Sequence, residues 1–113
     1  DAQFFAGQYD CTEVCQVSVV SPYTNDWTAS TTVNNDLNIN NFGGFGNTID
    51  IDADWNGSST LTITVPQTLG ATGSVIACNA SYTNNAGDVS ATIVYTWDDG
   101  TSSETCTTTA NEQ

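Results

Sequence analysis

The sequence predicts an all-β protein: a single antiparallel domain of seven to eight strands, folded as a β-sandwich or a flattened barrel and stapled by two disulfides. Three observations support this prediction. Apolar and polar residues alternate with the period of two that is typical of half-buried strands, short turn signals separate these segments, and the 113 residues include four cysteines. A chain of this length is expected to form one domain, over residues 1–113.

The clearest strand is predicted over residues 48–55, where four apolar side chains share one face and three aspartates share the other. Residues 88–98 repeat this alternation. So do residues 60–65, which end before Pro66 because proline cannot donate a ladder hydrogen bond. Weaker patterns predict further strands over residues 7–14, 26–33, 36–41, 74–82 and 101–108.

The turns between these strands contain residues that tolerate a positive φ. The Asn-Gly pair at 56–57 and the Asp-Gly pair at 99–100 are strong hairpin signals. The Asn-Asn pair at 34–35 is a weaker one, and residues 84–87 form a longer turn of the same type. Strands joined in this way form an antiparallel meander, which has to close into a barrel or fold into two layers to bury its apolar face.

The charge composition excludes whole classes of function. The chain has 13 Asp and Glu residues and no Lys, Arg or His, which gives a formal net charge of -13. Nucleic-acid binding and attachment to anionic lipid both need basic side chains, so neither is expected. No apolar run is long enough for a transmembrane helix. Catalysis is not expected either, because Glu13, Glu104 and the aspartates form no recognisable acid–base pattern.

Cysteine usage predicts an exported protein. An even number of cysteines in so small a chain is typical of a disulfide framework, here Cys11, Cys15, Cys78 and Cys106. A zinc site is the alternative, but the chain lacks both the Cys-x2-Cys spacing and any histidine. We therefore expect two disulfides and a secreted or cell-surface location. The absence of Lys and Arg also removes the cleavage sites of trypsin-like proteases.

Three alternating aspartates form a candidate metal site. Asp50, Asp52 and Asp54 resemble the first ligands of a calcium loop. That loop also requires glycine at its sixth position and glutamate at its twelfth, where this chain has Trp55 and Leu61. The aspartates are therefore expected either to form a solvated strand face or to bind a cation such as Ca²⁺ weakly.

Aromatic and asparagine residues supply the remaining candidate contacts. The three tryptophans share strand faces with apolar residues, so core packing is expected rather than carbohydrate stacking. Phe42 and Phe45 lie in a glycine-rich loop, where they either plug one end of the fold or contact a partner. Asn56 and Asn79 begin N-glycosylation sequons, which matter only in a glycosylating host.

Four segments together resemble a known type of domain. GQYDCTEVC, LNINNFGGFGNTIDIDADWNG, LTITVPQTLG and VYTWDDGTSSETCTTT are similar to segments of a small, lipocalin-like β domain of exported proteins and lipoproteins in Bacteroidota. The resemblance implies a β fold and export. It also implies that Cys15 pairs with Cys106, which leaves Cys11 to pair with Cys78.

Two functions fit these observations. The first is a non-enzymatic structural subunit of an extracellular filament, pilus or surface layer, whose partners are copies of itself. Residues 1–9, with Phe4 and Phe5, would then form an arm that adds as a strand to a neighbouring subunit. The alternative is an exported monomeric binding module for a sugar, a small apolar ligand or a cation, with Phe42 and Phe45 at its open end.

Overall fold

The computed structural model describes residues 2–33 and 35–113, which form nine strands. The strands are β1 (Gly7–Cys15), β2 (Tyr23–Ala29), β3 (Asp36–Asn40), β4 (Asp50–Trp55), β5 (Thr60–Thr62), β6 (Gln67–Thr68), β7 (Ser74–Asn85), β8 (Asp88–Asp98) and β9 (Ser103–Glu112). Within the described ranges the helical elements are short 3₁₀ turns, so the predicted all-β class is confirmed. The described residues form nine strands, whereas the sequence predicts seven to eight.

Eight of the strands close into an antiparallel barrel. The sheet order is β5-β4-β3-β2-β1-β9-β8-β7, and a pairing between β5 and β7 joins its two ends. That closing seam has two residue pairs, Thr60 with Ser81 and Leu61 with Ala80. Strand β6 lies outside the ring and pairs with β7. Of the two predicted architectures, the structure therefore shows the barrel.

Alternation decides which side chains fill the barrel. On β8 the predicted inward residues Val89, Ala91, Ile93 and Tyr95 are each at most 2% exposed. Strand β4 follows the same rule, with its aspartates on the outer face. Burial of apolar side chains stabilises the fold by about 25 cal/mol per Å² of apolar surface. The inward rows therefore account for most of the favourable free energy of folding.

The strand predicted over residues 26–33 corresponds to β2, which begins earlier, at Tyr23, and ends earlier, at Ala29. The Ser30 hydroxyl oxygen accepts the backbone N–H groups of Thr32 (3.2 Å) and Val33 (2.9 Å), and this local bonding turns the chain. The glycines of three predicted turns, Gly57, Gly87 and Gly100, have φ values of 85°, 98° and 97°. Of the predicted 34–35 turn, Asn34 lies outside the described residues.

One end of the barrel, which we call the base, is closed by the N-terminal plug, the 3₁₀ turn Ala2–Phe5. Phe5 is fully buried, stacks near Trp27 (6.0 Å between ring centroids) and meets Tyr82 edge-on (4.7 Å). The Tyr9 hydroxyl donates to the Phe5 carbonyl oxygen (2.9 Å). The structure thus packs residues 2–5 of the predicted arm against the chain's own barrel, with Ala2 and Phe5 buried, and Asp1 lies outside the described residues.

The prediction of two disulfides is wrong. Cys15 and Cys106 are bonded across β1 and β9, with their Cα atoms 4.0 Å apart, whereas Cys11 and Cys78 are free. Strands β9 and β8 separate β1 from β7, a distance of about 14 Å along the sheet. A disulfide spans at most about 7 Å between Cα atoms, so Cys11 and Cys78 cannot bond in this barrel.

Candidate functional site

The other end of the barrel, which we call the mouth, contains an open cavity. Three connections lie at this end of the barrel: residues 16–22 after β1, residues 41–49 after β3 and residues 99–102 after β8. The cavity has a volume of about 370 Å³, and we call it the Glu13 cavity. It is lined by Glu13, Cys15, Ser18, Val19, Val20, Ser21, Tyr23, Gly43, Gly44, Phe45 and Trp97.

Glu13 points into the barrel from β1 and is only 9% exposed. Its Oε1 accepts the hydroxyl groups of Tyr23 (2.6 Å) and Thr108 (2.8 Å), and its Oε2 accepts the Tyr95 hydroxyl (2.8 Å). Burial raises the pKa of Tyr23 and of Tyr95, and the neighbouring Glu13 carboxylate raises both further. Both phenols therefore stay protonated and act as donors, so that three hydroxyl groups hold one carboxylate in place.

Aromatic side chains form one wall of the Glu13 cavity. Phe45 meets Trp97 edge-on, with 5.4 Å between ring centroids, and both line the cavity. Phe42 lies deeper, buried against Tyr95 (4.9 Å). Gly43 has a φ of 62°, and a Cβ there would lie 2.6 Å from the Tyr95 hydroxyl. Glycine at this position therefore lets the loop place Phe42 in the core and Phe45 at the cavity.

The loop of residues 16–22 is fixed over the cavity by Glu104. The Glu104 Oε1 accepts the backbone N–H groups of Val17 (2.6 Å) and Ser18 (2.5 Å), and Oε2 accepts the Ser18 hydroxyl (2.6 Å). These hydrogen bonds, led by those from Ser18, lower the pKa of Glu104. The loop carries Val19 and Val20 to the cavity rim.

A second cavity of about 310 Å³ lies beside the first, and we call it the Glu104 cavity. It is lined by Val17, Ser18, Trp97, Asp99, Ser102, Ser103 and Glu104. Ser18 and Trp97 line both cavities. Backbone N–H groups of Ser102 and Thr101 donate to Asp99 and lower its pKa to about 2, which keeps this carboxylate ionised.

The three predicted metal ligands lie elsewhere, on the outer face of β4. Asp54 is opposite Asp36 of β3, and Asp50 accepts a hydrogen bond from the Asn40 side chain (2.8 Å). In the described part of the chain, three ligand-type atoms come within 4.8 Å of one another at Glu13, Cys15 and Cys106, not at the aspartates. The two sulfurs of that group form the disulfide and are not thiolates. The calcium site stays a prediction.

The remaining predicted site residues are spread over the molecule. Phe4 is half-buried at the base and meets Trp55 edge-on (5.0 Å). The Asn56 side chain bonds to Ser58 and Thr60 within its turn, and Asn79 is exposed on β7. Of the tryptophans, Trp27 is buried in the core while Trp55 and Trp97 pack against its edge.

Sequence reasoning missed Glu13 as a site residue. The signal was present, because the period of two that puts Tyr9 and Cys11 inside β1 also puts Glu13 inside. Its partner Tyr23 comes from the neighbouring strand β2, and Tyr95 comes from β8, which the pairing of β1 with β9 brings near.

Two comparisons with known proteins find no relative of this chain. No protein-family model matches the sequence, and a search of curated proteins finds no similar chain. The resemblance to exported β domains of Bacteroidota therefore stays a prediction. No helix among residues 2–33 and 35–113 has the length and apolar character needed to cross a bilayer.

Proposed function

We propose that the protein is a binding module that holds a small organic ammonium ion with an apolar body in the Glu13 cavity. The observation that carries the proposal is a buried carboxylate on the cavity wall of a chain with no Lys, Arg or His. A buried charge is costly unless it is paired. The three hydroxyl donors offset part of that cost, and a bound ammonium ion would offset more of it.

The walls of the cavity suit the apolar part of such a ligand. Phe45 and Trp97 offer aromatic surface, and an ammonium group near an aromatic face gains about 0.5–2 kcal/mol. Val19 and Val20 also line the cavity. The volume of about 370 Å³ lies within the range of small-molecule sites. A net charge of -13 attracts cations over long range and raises their association rate.

Binding of phenethylammonium, compared with the uncharged isostere phenylethanol, tests the proposal. We expect the ammonium ion to bind and to change the tryptophan fluorescence, because Trp97 lies in the cavity wall. Phenylethanol should bind at least tenfold more weakly, since it cannot pair with the carboxylate. Titration calorimetry at low salt gives both affinities.

The matched variants for this test are Glu13→Gln and Asp54→Asn. Both remove one negative charge, but Asp54 lies on the outer wall of the barrel. Glu13→Gln should weaken phenethylammonium binding about tenfold, equivalent to about 1.4 kcal/mol, and Asp54→Asn should leave it within twofold. Equal binding of the ammonium ion and the alcohol, or equal effects of the two variants, would contradict the proposal.

Our second proposal is that the protein is a subunit of a self-assembling structure. One surface of the barrel favours it. The outer faces of β1, β9 and β8 carry a charge-free patch. We call this the threonine patch, and its members are Thr12, Val14, Thr92, Val94, Thr96, Thr105, Thr107 and Thr109. Val14 is 76% exposed. Copies that meet at this patch would place uncharged side chains against one another, with Asp10 and Asp98 at its border.

The strand-addition route to assembly requires a rearrangement. Strand β1 is already paired on both sides, with β2 and β9, and Phe5 is buried in its own barrel. Light scattering of the native protein, with Val14→Glu as the variant, tests association through the threonine patch. Particles much larger than 11.9 kDa that dissociate in the variant would support it. A monomer in moderate salt would contradict it.

A further inference from the structure

We propose that the Cys15–Cys106 pair, once its disulfide is reduced, binds Zn²⁺ together with Glu13. The ion would bind the two cysteine sulfurs and Oε2 of the Glu13 carboxylate. This inference goes beyond the proposed function, because it needs no ammonium ligand and concerns the reduced protein alone.

The fold brings these three residues together from distant parts of the chain. Cys15 is opposite Cys106 in the pairing of β1 with β9, and Glu13 lies two residues before Cys15 on the same inward face. One ligand-type atom of each residue lies within 4.8 Å of the other two. Zinc is bound in proteins by cysteine sulfur, histidine nitrogen and carboxylate oxygen. The reduced cluster therefore supplies three ligands of a suitable type, although the chain lacks the Cys-x2-Cys spacing.

The distances between the ligand atoms suit a tetrahedral ion. With Zn–S bonds of about 2.3 Å and Zn–O bonds of about 2.0 Å, a bound sulfur and a bound oxygen lie about 3.5 Å apart. The Cys15 Sγ and the Glu13 Oε2 are 3.4 Å apart. Two bound sulfurs lie about 3.8 Å apart. After reduction, Cys15 and Cys106 can reach this separation by rotation about their Cα–Cβ bonds.

The hydroxyl groups around Glu13 hold the carboxylate in position for the ion. Oε1 accepts the hydroxyl groups of Tyr23 and Thr108, and Oε2 accepts that of Tyr95, which leaves Oε2 a second lone pair. Hydrogen bonds of this kind orient the carboxylate ligands of metal ions. Glu13 and Cys15 also line the open cavity, so water can enter and take the fourth position on the ion.

Reduction by a dithiol converts the disulfide into the two sulfur ligands. A thiolate of the dithiol attacks the Cys15 sulfur, which is partly exposed at the cavity, and Cys106 leaves as a thiolate that takes up a proton. The second thiol of the dithiol then releases Cys15 and closes its own disulfide, so two electrons and two protons pass to the protein. Zn²⁺ displaces these two protons when it binds. The redox state of the pair therefore decides whether the ion can bind.

Metal binding by the oxidised and the reduced protein tests the inference. The reduced protein is prepared with dithiothreitol, which is removed by anaerobic gel filtration before metal is added. We expect the reduced protein to bind one Co²⁺ per chain, with thiolate-to-cobalt charge-transfer absorption and the intense visible bands of a tetrahedral site. The oxidised protein should show neither. Competition with a chromophoric chelator should give a Zn²⁺ affinity at least a hundredfold higher for the reduced protein.

The matched variants, both measured in the reduced state, are Glu13→Gln and Cys78→Ser. Glu13→Gln should weaken Zn²⁺ binding at least tenfold, because it replaces a charged ligand oxygen by a neutral one. Cys78→Ser also removes a group that could bind the ion, but Cys78 lies on β7, which β8 separates from β9. It should leave the Zn²⁺ affinity within twofold.

Three results would overturn the inference. The first is a reduced protein without thiolate-to-cobalt absorption, and the second is equal Zn²⁺ affinity in the two redox states. The third is an equal effect of the two variants, which would mean that zinc binds at another site or to an unfolded chain through any of its four cysteines. Phenethylammonium binding is measured on the oxidised protein, so either proposal can fail while the other stands.

Discussion

At the scale of single residues, Glu13 shows what the inward–outward alternation of a β-strand predicts and what it does not predict. The alternation in β1 places this residue inside, next to Tyr9 and Cys11, so its burial was predictable from the sequence. Its partners were not predictable. Tyr23 and Tyr95 are separated from it by 10 and 82 residues, and the pairing of β1 with β2 on one side and with β9, next to β8, on the other brings their hydroxyl groups to one carboxylate.

The free cysteines give a prediction at the same scale. Burial raises the pKa of Cys11 and of Cys78 to about 12 each, so both should be thiols, not thiolates, at pH 8. The native, unreduced protein should therefore react slowly with iodoacetamide. Unfolding in guanidinium without reductant should expose two thiol groups, which mass spectrometry would count as two added labels. No label under these conditions would mean that a second disulfide, between Cys11 and Cys78, exists, and four would mean that Cys15–Cys106 is open.

At the scale of elements, the sequence predicted the long hairpins best. Strand β8 has the predicted bounds, residues 88–98, because its inward side chains and both flanking turns agree with one another. Strand β6 has two residues and no alternation to detect. The N-terminal plug also has no periodic pattern, since its position depends on contacts with Trp27, Trp55 and Tyr82 from three different strands.

The N-terminal plug is expected to contribute strongly to stability. Phe5→Ala should lower the free energy of unfolding by about 3–5 kcal/mol, because it leaves a cavity among aromatic rings in the core. Phe4→Ala is the matched control and should cost less, since Phe4 is only half-buried. Urea unfolding followed by tryptophan fluorescence gives both values, and the m-value should stay unchanged. A neutral Phe5→Ala would show that the plug is undocked, as an arm that binds a neighbouring subunit requires.

At the scale of the whole molecule, the sequence predicted an antiparallel meander but not how it closes. A barrel and a sandwich can share the same local alternation and hairpins, and the difference lies in pairings between distant segments. Here β1 pairs with β9, and β5 pairs with β7 through two residue pairs. The charge, by contrast, was fully known from the sequence. It is spread unevenly, with aspartates on the outer face of β4 and a charge-free threonine patch on β1, β9 and β8.

The net charge predicts how the whole molecule responds to salt. At about 0.01 M salt the Debye length of about 30 Å exceeds the 13.2 Å radius of gyration, so all 13 carboxylates repel one another. Raising NaCl to about 1 M shortens the Debye length to about 3 Å, and the Tm at pH 7 should rise by several degrees. At pH 2.5, where most carboxylates are protonated, the rise should shrink. A Tm at pH 7 that is constant or falls with NaCl would contradict this. A further rise with CaCl₂ at equal ionic strength, lost in Asp52→Asn, would indicate calcium at the β4 aspartates.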